Sequence, residues 1–330
     1  MKPSVNIRNI LIIRLSSIGD IILTTPVIKA LKHKFPESKI DFLVMDKFKD
    51  AISQNSSIDN IIVFEKEKYK GIQGIINFSK TIKCNNYDLV IDLHAKIRSI
   101  LISRLICKNI LRYKKRALWK TILVKLKLIN YHVDDTIIKN YFRPLNKLEI
   151  YYSGENLEFY FDETDLEKFK NFDNFIVAAP GAANETKKWP KEYFAELLTK
   201  FSENIFIIGG KNEFDECEYI KQSVGDRCTN FSGELSLKES GALLSKAKFV
   251  IANDSGPFHI ARAVCPKSFV IFGPTDPNMF EFKDNATLIY ANEKCAPCSL
   301  HGDKKCPKGH FNCMMKLTPE KVYAIINKNI

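Results

Sequence analysis

The sequence predicts an α/β fold of two Rossmann-like, doubly wound domains that face each other across a cleft. The chain has 330 residues, which is enough for two domains with separate cores. Short apolar runs alternate with amphipathic stretches, and this alternation occurs twice along the chain. Because several of the runs are apolar at every position, they are typical of parallel strands that helices cover on both faces.

The first series of elements occupies the N-terminal half. Apolar, β-branched runs predict strands at Ile10–Leu15, Ile40–Val44, Ile61–Phe64 and Leu89–Leu93. The amphipathic stretches between them predict helices that begin near Asp20, Lys49 and Gly71. In open α/β sheets, ligands bind beyond the carboxyl ends of the strands, so the loops that follow these strands are the candidate functional segments.

The second series occupies the C-terminal half. It predicts strands at Phe175–Ala179, Ile205–Gly209, Phe249–Ala252 and Ser268–Phe272. Helices are predicted to begin near Lys191, Glu213, Leu237 and Gly256. The acidic, polar segment 153–173 between the two series has the composition of a connection. We place the boundary near Asn156, with domains spanning residues 1–156 and 157–330.

The composition excludes several classes of protein. With 45% apolar and 27% charged residues, the chain is neither disordered nor collagen-like. No run reaches the roughly 18 apolar residues of a membrane span, and Arg14 and Asp20 interrupt the region where a signal peptide would be apolar. We therefore expect a cytoplasmic protein whose nine cysteines do not form a disulfide framework.

The formal net charge of +12 is concentrated in one stretch. Between His94 and Val133 there are eleven Lys and Arg residues and no Asp or Glu. This acid-free stretch predicts a local surface that attracts an anionic partner. A surface for nucleic acid would need aromatic side chains among the cations for stacking, and only Tyr113 and Trp119 lie centrally. We therefore expect no nucleic-acid partner.

The loop after the first predicted strand carries a carboxylate. Gly19 permits a tight turn, and Asp20 then lies at or near the N-terminus of a helix that faces the cleft. Asp20 is therefore a candidate general base, and a helix N-cap is the alternative. The segment matches neither G-x-G-x-x-G nor a P-loop, so the usual nucleotide fingerprints do not explain it.

In the second half, a strand leads directly into Asp254, Ser255 and Gly256. The helix that begins there offers unpaired backbone N–H groups and the positive end of its dipole, which together form an anion site. His259 lies one turn after Ser255 on the same face and can donate to the same phosphate. The alternative is an Asp-Ser cap with a packed histidine. A serine nucleophile is disfavoured because the G-x-S-x-G pattern is missing.

Two further loops contain candidate binding residues. After the first strand of the second half, Gly181 and Ala182 let the backbone approach a ligand closely, and Lys187 can place a positive charge on a phosphate. After the fourth strand of the first half there are three basic side chains, His94, Lys96 and Arg98. Their spacing does not fit one helical face, which favours a loop that leads into a helix and presents cations to the cleft.

Four of the cysteines cluster near the C-terminus, at Cys295, Cys298, Cys306 and Cys313. The spacing C-x2-C-x7-C-x6-C, with two histidines nearby, could close a structural zinc site. Disulfides formed on handling and reduced thiols are the alternatives. None of these readings implies catalysis.

Four segments that follow one another in the chain together resemble glycosyltransferase family 9, the ADP-heptose:lipopolysaccharide heptosyltransferases. They are Ile13–Asp20 with Thr25 and Pro26 downstream, Pro180–Pro190, Asn253–Ala263 and Phe272–Asp276. The resemblance runs over nearly the whole chain. The Pro-Gly-Ala loop and the cysteine-rich tail are more similar to heptosyltransferase II than to heptosyltransferase I.

This resemblance implies a GT-B fold, with the acceptor on the N-terminal domain and the nucleotide sugar on the C-terminal domain. It implies that Asp20 is the catalytic base and that Lys187 assists the leaving group. The donor-binding positions are Gly181, Ala182, Lys187, Glu213, Asp254, Ser255, Gly256 and His259, with Glu213 placed on the nucleotide ribose. The acceptor-binding positions are Ser17, Gly19, His94, Lys96 and Arg98. No metal ligand is expected among them.

The implied reaction is an inverting transfer of heptose from ADP-L-glycero-D-manno-heptose to the inner core of lipopolysaccharide, with no cofactor required for catalysis. The acceptor is a lipid-linked anionic saccharide, Kdo- or heptose-bearing lipid A. The acid-free stretch would then attach the protein peripherally to the cytoplasmic face of the inner membrane. The alternatives are another GT-B transferase or epimerase of cell-envelope precursors and a non-enzymatic anion-binding protein.

Overall fold

The computed structural model describes residues 7–114 and 135–330. They form two compact units, the first of residues 7–114 and 135–160 and the second of residues 161–330. The position Asn156, where the sequence placed the boundary, lies inside the first unit. Just beyond it, the Glu158 carboxylate lies 2.8 Å from Lys29 Nζ and the Glu158 backbone N–H donates to Thr25 Oγ1. These contacts hold the end of the connection on the first unit.

The first unit is built on a five-stranded parallel sheet in the order β3-β2-β1-β4-β5. Its strands are β1 (Asn9–Ile13), β2 (Lys39–Met45), β3 (Asn60–Phe64), β4 (Leu89–Asp92) and β5 (Ile110–Arg112). In the central strand, Ile10 pairs with Ile40 on one side and with Leu89 on the other. The four predicted strands are confirmed. The three-residue β5, which lies within the acid-free stretch, was not predicted.

The helices of the first unit are α1 (Ile18–Ile22), α2 (Thr25–Lys34), α3 (Gly71–Lys83), α4 (Ile97–Ile106) and α5 (Ile137–Phe142). Two short 3₁₀ helices span Asp46–Ala51 and Arg143–Leu148. The single helix predicted from Asp20 is therefore two helices, because Pro26 lies in the first turn of α2 and has no N–H to continue α1. The helix predicted near Lys49 is a 3₁₀ helix.

The second unit has a six-stranded parallel sheet in the order β11-β10-β9-β6-β7-β8. Its strands are β6 (Phe175–Ala179), β7 (Asn204–Ile207), β8 (Cys228–Asn230), β9 (Val250–Asn253), β10 (Ser268–Phe272) and β11 (Ala286–Tyr290). Every residue of β6 and β10 is buried, as expected for strands covered on both faces. The prediction of two doubly wound parallel sheets is confirmed.

The helices of the second unit are α6 (Glu163–Glu167), α7 (Lys191–Thr199), α8 (Phe214–Val224), α9 (Leu237–Lys246), α10 (Gly256–Val264), α11 (Asn312–Met315) and α12 (Pro319–Asn329). Short 3₁₀ helices span Glu185–Lys187, Lys211–Glu213 and Pro277–Met279. Trp189 is fully buried before α7, and its indole N–H donates to the Leu317 carbonyl at 2.9 Å. Within the described part of the chain, no helix combines the length and the apolar character needed to cross a membrane.

Candidate active site

In the first unit, Asp20 lies in α1, directly beyond the carboxyl end of β1. Its carboxylate accepts a hydrogen bond from Ser17 Oγ at 3.0 Å and lies 2.6 Å from Arg14 Nη2. The side chain keeps 33% of its surface exposed, so a ligand can reach it. Asp20 is thus the third residue of the helix, folded back onto Ser17, rather than the N-cap that was the alternative prediction.

Arg14 is held more firmly than Asp20. Its Nε donates to the Ser16 carbonyl at 2.8 Å and its Nη1 donates to the Leu93 carbonyl at 2.6 Å. Its side chain is only 9% exposed. Because three separate acceptors hold one guanidinium, the position of Arg14 sets the position of the Asp20 carboxylate.

The neighbourhood of Asp20 changes the acidity of two side chains. Burial acts to raise the pKa of the Asp20 carboxyl, but the Arg14 charge and the hydrogen bonds from Ser17 outweigh it and lower the pKa to about 2. Tyr141 Oη donates to Asp20 Oδ1 at 3.4 Å, and burial raises the pKa of this phenol well above its usual value. Asp20 is therefore ionised, and Tyr141 protonated, throughout the neutral pH range.

Ser17 and Gly19, two of the predicted acceptor-binding residues, lie beside this carboxylate. Ser17 is exposed and precedes α1, with its hydroxyl turned to Asp20. Gly19 lies inside α1, and among the described glycines it is not one of those with a positive φ. Gly19 is therefore part of the first helical turn and does not use the left-handed conformation that only glycine adopts readily.

The other acceptor-binding candidates follow β4. Asp92 is fully buried and accepts hydrogen bonds from the backbone N–H groups of His94, at 3.1 Å, and Ala95, at 2.9 Å. Ala95 has a φ of 50°, and α4 begins two residues later, so the predicted loop leading into a helix is confirmed.

The three basic side chains of that loop have different surroundings. His94 is buried and Lys96 is exposed. The Arg98 guanidinium lies 5.2 Å from the ring centroid of Phe64, at the end of β3. The presentation of these three cations to a cleft stays a prediction.

In the second unit, Lys187 and Asp254 form a buried ion pair. Lys187 Nζ lies 2.6 Å from Asp254 Oδ2, and Thr275 Oγ1 donates to the same oxygen at 2.9 Å. Asp254 is 4% exposed. The carboxylate therefore fixes the ammonium group at the start of α10. Thr275 was not among the predicted site residues, although it belongs to the Phe-Gly-Pro-Thr segment.

The helix α10 begins at Gly256, as predicted, with Ser255 as its N-cap. The Ser255 hydroxyl oxygen is buried and has no hydrogen-bond partner among the described residues. His259 is buried, and its ring packs against Phe280 and Phe258 with centroid distances of 4.9 and 5.2 Å. These ring contacts fit the packed-histidine alternative, whereas the Ser255 hydroxyl and the helix N-terminus fit an anion site.

Gly181 contacts a protein carboxylate. A Cβ atom at this position would lie 1.9 Å from Glu213 Oε1, and the neighbouring Ala182 is buried. Glu213 Oε2 also accepts a hydrogen bond from the backbone N–H of Gly210 at 2.7 Å. The loop after β6 and the loop after β7 thus meet at Glu213. The sequence analysis predicted that Gly181 lets a ligand approach the backbone closely. In the structure, the group that approaches Gly181 closely is the Glu213 carboxylate.

Asn253 links two loops of the site and was missed by the sequence analysis. At the end of β9, its Nδ2 donates to the Pro180 carbonyl at 2.5 Å and its Oδ1 accepts from the Trp189 backbone N–H at 3.2 Å. A fully buried amide immediately before Asp254 holds the Lys187 loop against β9. Its position between an apolar strand and the Asp-Ser-Gly turn was the available signal.

The clustered cysteines lie in the C-terminal segment of the second unit. Cys295 Sγ lies 3.8 Å from His310 Nε2, and burial raises the pKa of Cys298 to about 11 and that of Cys313 to about 12. In residues 7–114 and 135–330, no group of three or more His, Cys, Asp or Glu side chains is arranged to hold a metal ion. The zinc site stays a prediction.

Part of the acid-free stretch lies outside the described residues. Its basic residues up to Lys114 are described, whereas residues 115–134 are not, among them Lys115, Arg116, Trp119, Lys120, Lys125 and Lys127. The anionic partner predicted for this stretch therefore stays a prediction.

Comparison with known proteins gives a family match and a similar protein. The family model of glycosyltransferase family 9 (heptosyltransferase) matches residues 75–308. Lipopolysaccharide heptosyltransferase 1 of Campylobacter coli is 26% identical over 319 residues, which cover 89% of this chain and 92% of that protein.

Two solved structures share the fold. The glycosyl transferase of family 9 from Veillonella parvula has a TM-score of 0.82 at 20% identity and covers 98% of this chain and 97% of its own. The ADP-heptose lipopolysaccharide heptosyltransferase II of Escherichia coli has a TM-score of 0.73 at 17% identity, with 97% and 98% covered.

Proposed function

The chain belongs to glycosyltransferase family 9, the heptosyltransferases, and we propose that it moves heptose from ADP-L-glycero-D-manno-heptose to the inner core of lipopolysaccharide with inversion at the anomeric carbon. The observation that carries this proposal is the pair of sites just described. The first unit holds an ionised, reachable carboxylate at Asp20, and the second holds a fixed ammonium at Lys187 beside a helix N-terminus. The Asp20 carboxylate suits an acceptor hydroxyl, and the Lys187 ammonium with the helix N-terminus suits a diphosphate.

Asp20 is proposed as the catalytic base, and its low pKa limits when it can act. A carboxylate with a pKa of about 2 takes a proton from a sugar hydroxyl only after the bond to the anomeric carbon has largely formed, because the oxygen then becomes acidic. The hydroxyl therefore attacks the anomeric carbon as the bond to the diphosphate breaks, and its proton passes late to Asp20. Arg14 and Ser17 hold the carboxylate in place for that transfer.

Lys187 is proposed to stabilise the leaving diphosphate. An ammonium group has three N–H donors, so Lys187 can keep one on Asp254 and direct another to a phosphate oxygen. The N-terminus of α10 and the Ser255 hydroxyl supply further donors. The dipole of one helix contributes only about 0.3 to 2 kcal/mol for an anion, so the ammonium charge is needed beside it.

Because these groups meet the phosphate charge, we propose that no metal cofactor is required. Glu213, which follows β7 at the position where the family resemblance implies an acidic residue, is proposed to hydrogen-bond the nucleotide ribose.

The acceptor is proposed to be a lipid-linked anionic saccharide, Kdo- or heptose-bearing lipid A, reached by peripheral attachment to the cytoplasmic face of the inner membrane. Support comes from the excess of basic residues between His94 and Val133, since each cation near an anionic surface contributes about 1 kcal/mol. Sedimentation with anionic vesicles should then fall as salt is raised. Association that is unchanged between low and high salt would refute this part.

The central test is a reaction of the purified chain with ADP-heptose and a panel of truncated core acceptors, read by mass spectrometry. One acceptor should gain the mass of one heptose, and ADP should appear only when that acceptor is present. The acceptor that reacts identifies the transfer step. Conversion of the nucleotide sugar without an acceptor would indicate an epimerase, and no reaction with any acceptor would contradict the proposal.

A further inference from the structure

The first unit contains a basic cavity of about 690 Å³ at the carboxyl ends of β4 and β5. Part of the lining is apolar, and the polar lining residues are Arg112, Tyr113, Lys114, Asn140, Arg143 and Lys147. None of the lining residues is acidic. The volume lies within the range of about 300 to 1,000 Å³ that is usual for sites of small ligands.

Two of the four cations are already partnered by protein carboxylates. Arg112 Nε lies 2.8 Å from the buried carboxylate of Asp92, and Arg143 Nη2 lies 3.3 Å from Asp135. Lys114 and Lys147 are exposed, and neither forms an ion pair with an acidic residue in the described part of the chain. The arginines therefore shape the wall, and the two lysines leave positive charge to be met by a ligand.

The cavity adjoins the candidate base through two aromatic rings. Tyr113 lines the cavity, and its ring packs edge-on against Tyr141 with a centroid distance of 5.2 Å. The Tyr141 hydroxyl in turn donates to Asp20. Tyr113 and Tyr141 thus connect the cavity to Asp20 by an unbroken chain of contacts within the same unit.

We propose that the basic cavity binds an anionic group of the acceptor, a carboxylate or a phosphate ester, with Lys114 and Lys147 as the principal contacts. This inference rests on the proposed function, because it places the acceptor hydroxyl at Asp20. The apolar part of the lining, which includes Ile100 and Leu111, covers the hydrocarbon face of the sugar. The cavity thereby selects acceptors by charge and leaves the donor site of the second unit untouched.

The test uses the full chain and the variant Lys114→Gln/Lys147→Gln. We expect the KM for the intact acceptor to rise about tenfold or more, as for the loss of charge-assisted hydrogen bonds, with kcat and the KM for ADP-heptose unchanged. Lys80→Gln is the matched control, because Lys80 is an exposed lysine of α3 that does not line the cavity. The control should behave like the unaltered chain.

Two modified acceptors identify the anion. One has each carboxylate reduced to an alcohol and the other has each phosphate removed. The double variant should lose its effect on KM with the acceptor that lacks the recognised group, because the coupling between that group and the lysines is then gone. An unchanged KM for the intact acceptor, or the same rise with all three acceptors, would overturn the proposal.

A binding experiment separates this inference from the proposed function. The deacylated, water-soluble acceptor is titrated into the chain without donor, and heat is measured. If the unaltered chain binds it and the double variant binds at least tenfold more weakly, the cavity is supported even when no heptose is transferred. Equal affinity of the two proteins, or no binding to the unaltered chain, refutes the cavity whatever the transfer assay shows.

Discussion

Arg14 Nη2 lies 2.6 Å from Asp20 Oδ2, and this contact joins the end of the central strand of the first unit to the candidate base. Arg14 is itself fixed by two backbone carbonyls, so it acts as a rigid support for a partly exposed carboxylate. The pair also sets the charge of Asp20, since Arg14 offsets the effect of burial and keeps the pKa near 2. Arg14 is therefore a positioning residue for the proposed base.

Replacing Arg14 by Gln should move the pH dependence of transfer. Without the guanidinium, burial acts with less opposition and the pKa of Asp20 rises, so the acid limb of kcat/KM shifts to higher pH. At pH 7 we expect kcat to fall about 10- to 100-fold because the carboxylate loses its support. A profile measured from pH 4 to 8 checks both effects. Arg14→Lys should restore part of the rate, and Arg8→Gln, at an exposed position just before β1, should leave the profile unchanged.

The same ion pair should contribute to stability with a defined sign. The folded-state pKa of about 2 lies below the ordinary value of 3.8, so the stabilisation is complete above about pH 4 and is lost as the pH falls toward 2. After allowance for partial exposure, we expect Asp20→Asn to lower the free energy of unfolding by about 1 to 2 kcal/mol at pH 7. The difference between the two proteins, measured by denaturant titration, should shrink between pH 4 and 2. A difference that is constant with pH would contradict the low pKa.

Asp20→Asn should also separate chemistry from donor binding. The amide cannot accept the proton, so we expect kcat to fall about 10²- to 10⁴-fold, whereas ADP affinity should not change because the donor site lies in the second unit. Rate measurement by ADP release and calorimetry with ADP test the two halves of this prediction. Asp46→Asn, at an exposed carboxylate of the same unit, is the control. Full transfer activity in Asp20→Asn would show that Asp20 is not the base.

Lys187 and Lys188 offer a matched pair in the donor site. Lys187→Gln should weaken ADP binding about tenfold or more through the lost charge-assisted hydrogen bond, and it should destabilise the fold by roughly 3 to 5 kcal/mol because Asp254 stays buried without its cation. Lys188 pairs instead with Glu185 and Glu216, so Lys188→Gln should cost about 1 kcal/mol and leave ADP affinity unchanged. Calorimetry below the melting temperature of both variants provides the comparison. Equal ADP affinity in the two would argue against Lys187 as a phosphate ligand.

Gly181→Ala should act through Glu213. The new Cβ would occupy the place of the carboxylate, which can swing away at little cost in stability because it ends a flexible side chain. We expect Gly181→Ala and Glu213→Ala each to weaken ADP binding by up to about tenfold, and the double variant to be no weaker than either, because both remove the same contact. At Gly210 an added Cβ meets Glu213 Oε2 at an ordinary 3.7 Å, so Gly210→Ala is the control. Additive losses would place the two residues in separate roles.

The sequence predicted what depends on local pattern. Buried parallel strands need apolar residues at successive positions, and those runs located Phe175–Ala179 and Ser268–Phe272 to the residue. The loops after the strands could be named as candidate sites for the same reason, since the carboxyl edge of a doubly wound sheet is where its loops gather. Short strands such as β5 have too few residues to give a periodic signal.

The sequence by itself therefore determined that the fold has two parallel sheets, located eight of their strands, and identified the loops that carry Asp20, Lys187 and Asp254. Only the tertiary structure decided which groups these side chains meet. Tyr141 reaches Asp20 across 121 positions, and Lys187 pairs with an aspartate from another loop. The reason is that spacing along the chain specifies periodicity within one element, whereas a contact between distant segments exists only once the strands have paired and brought their ends together.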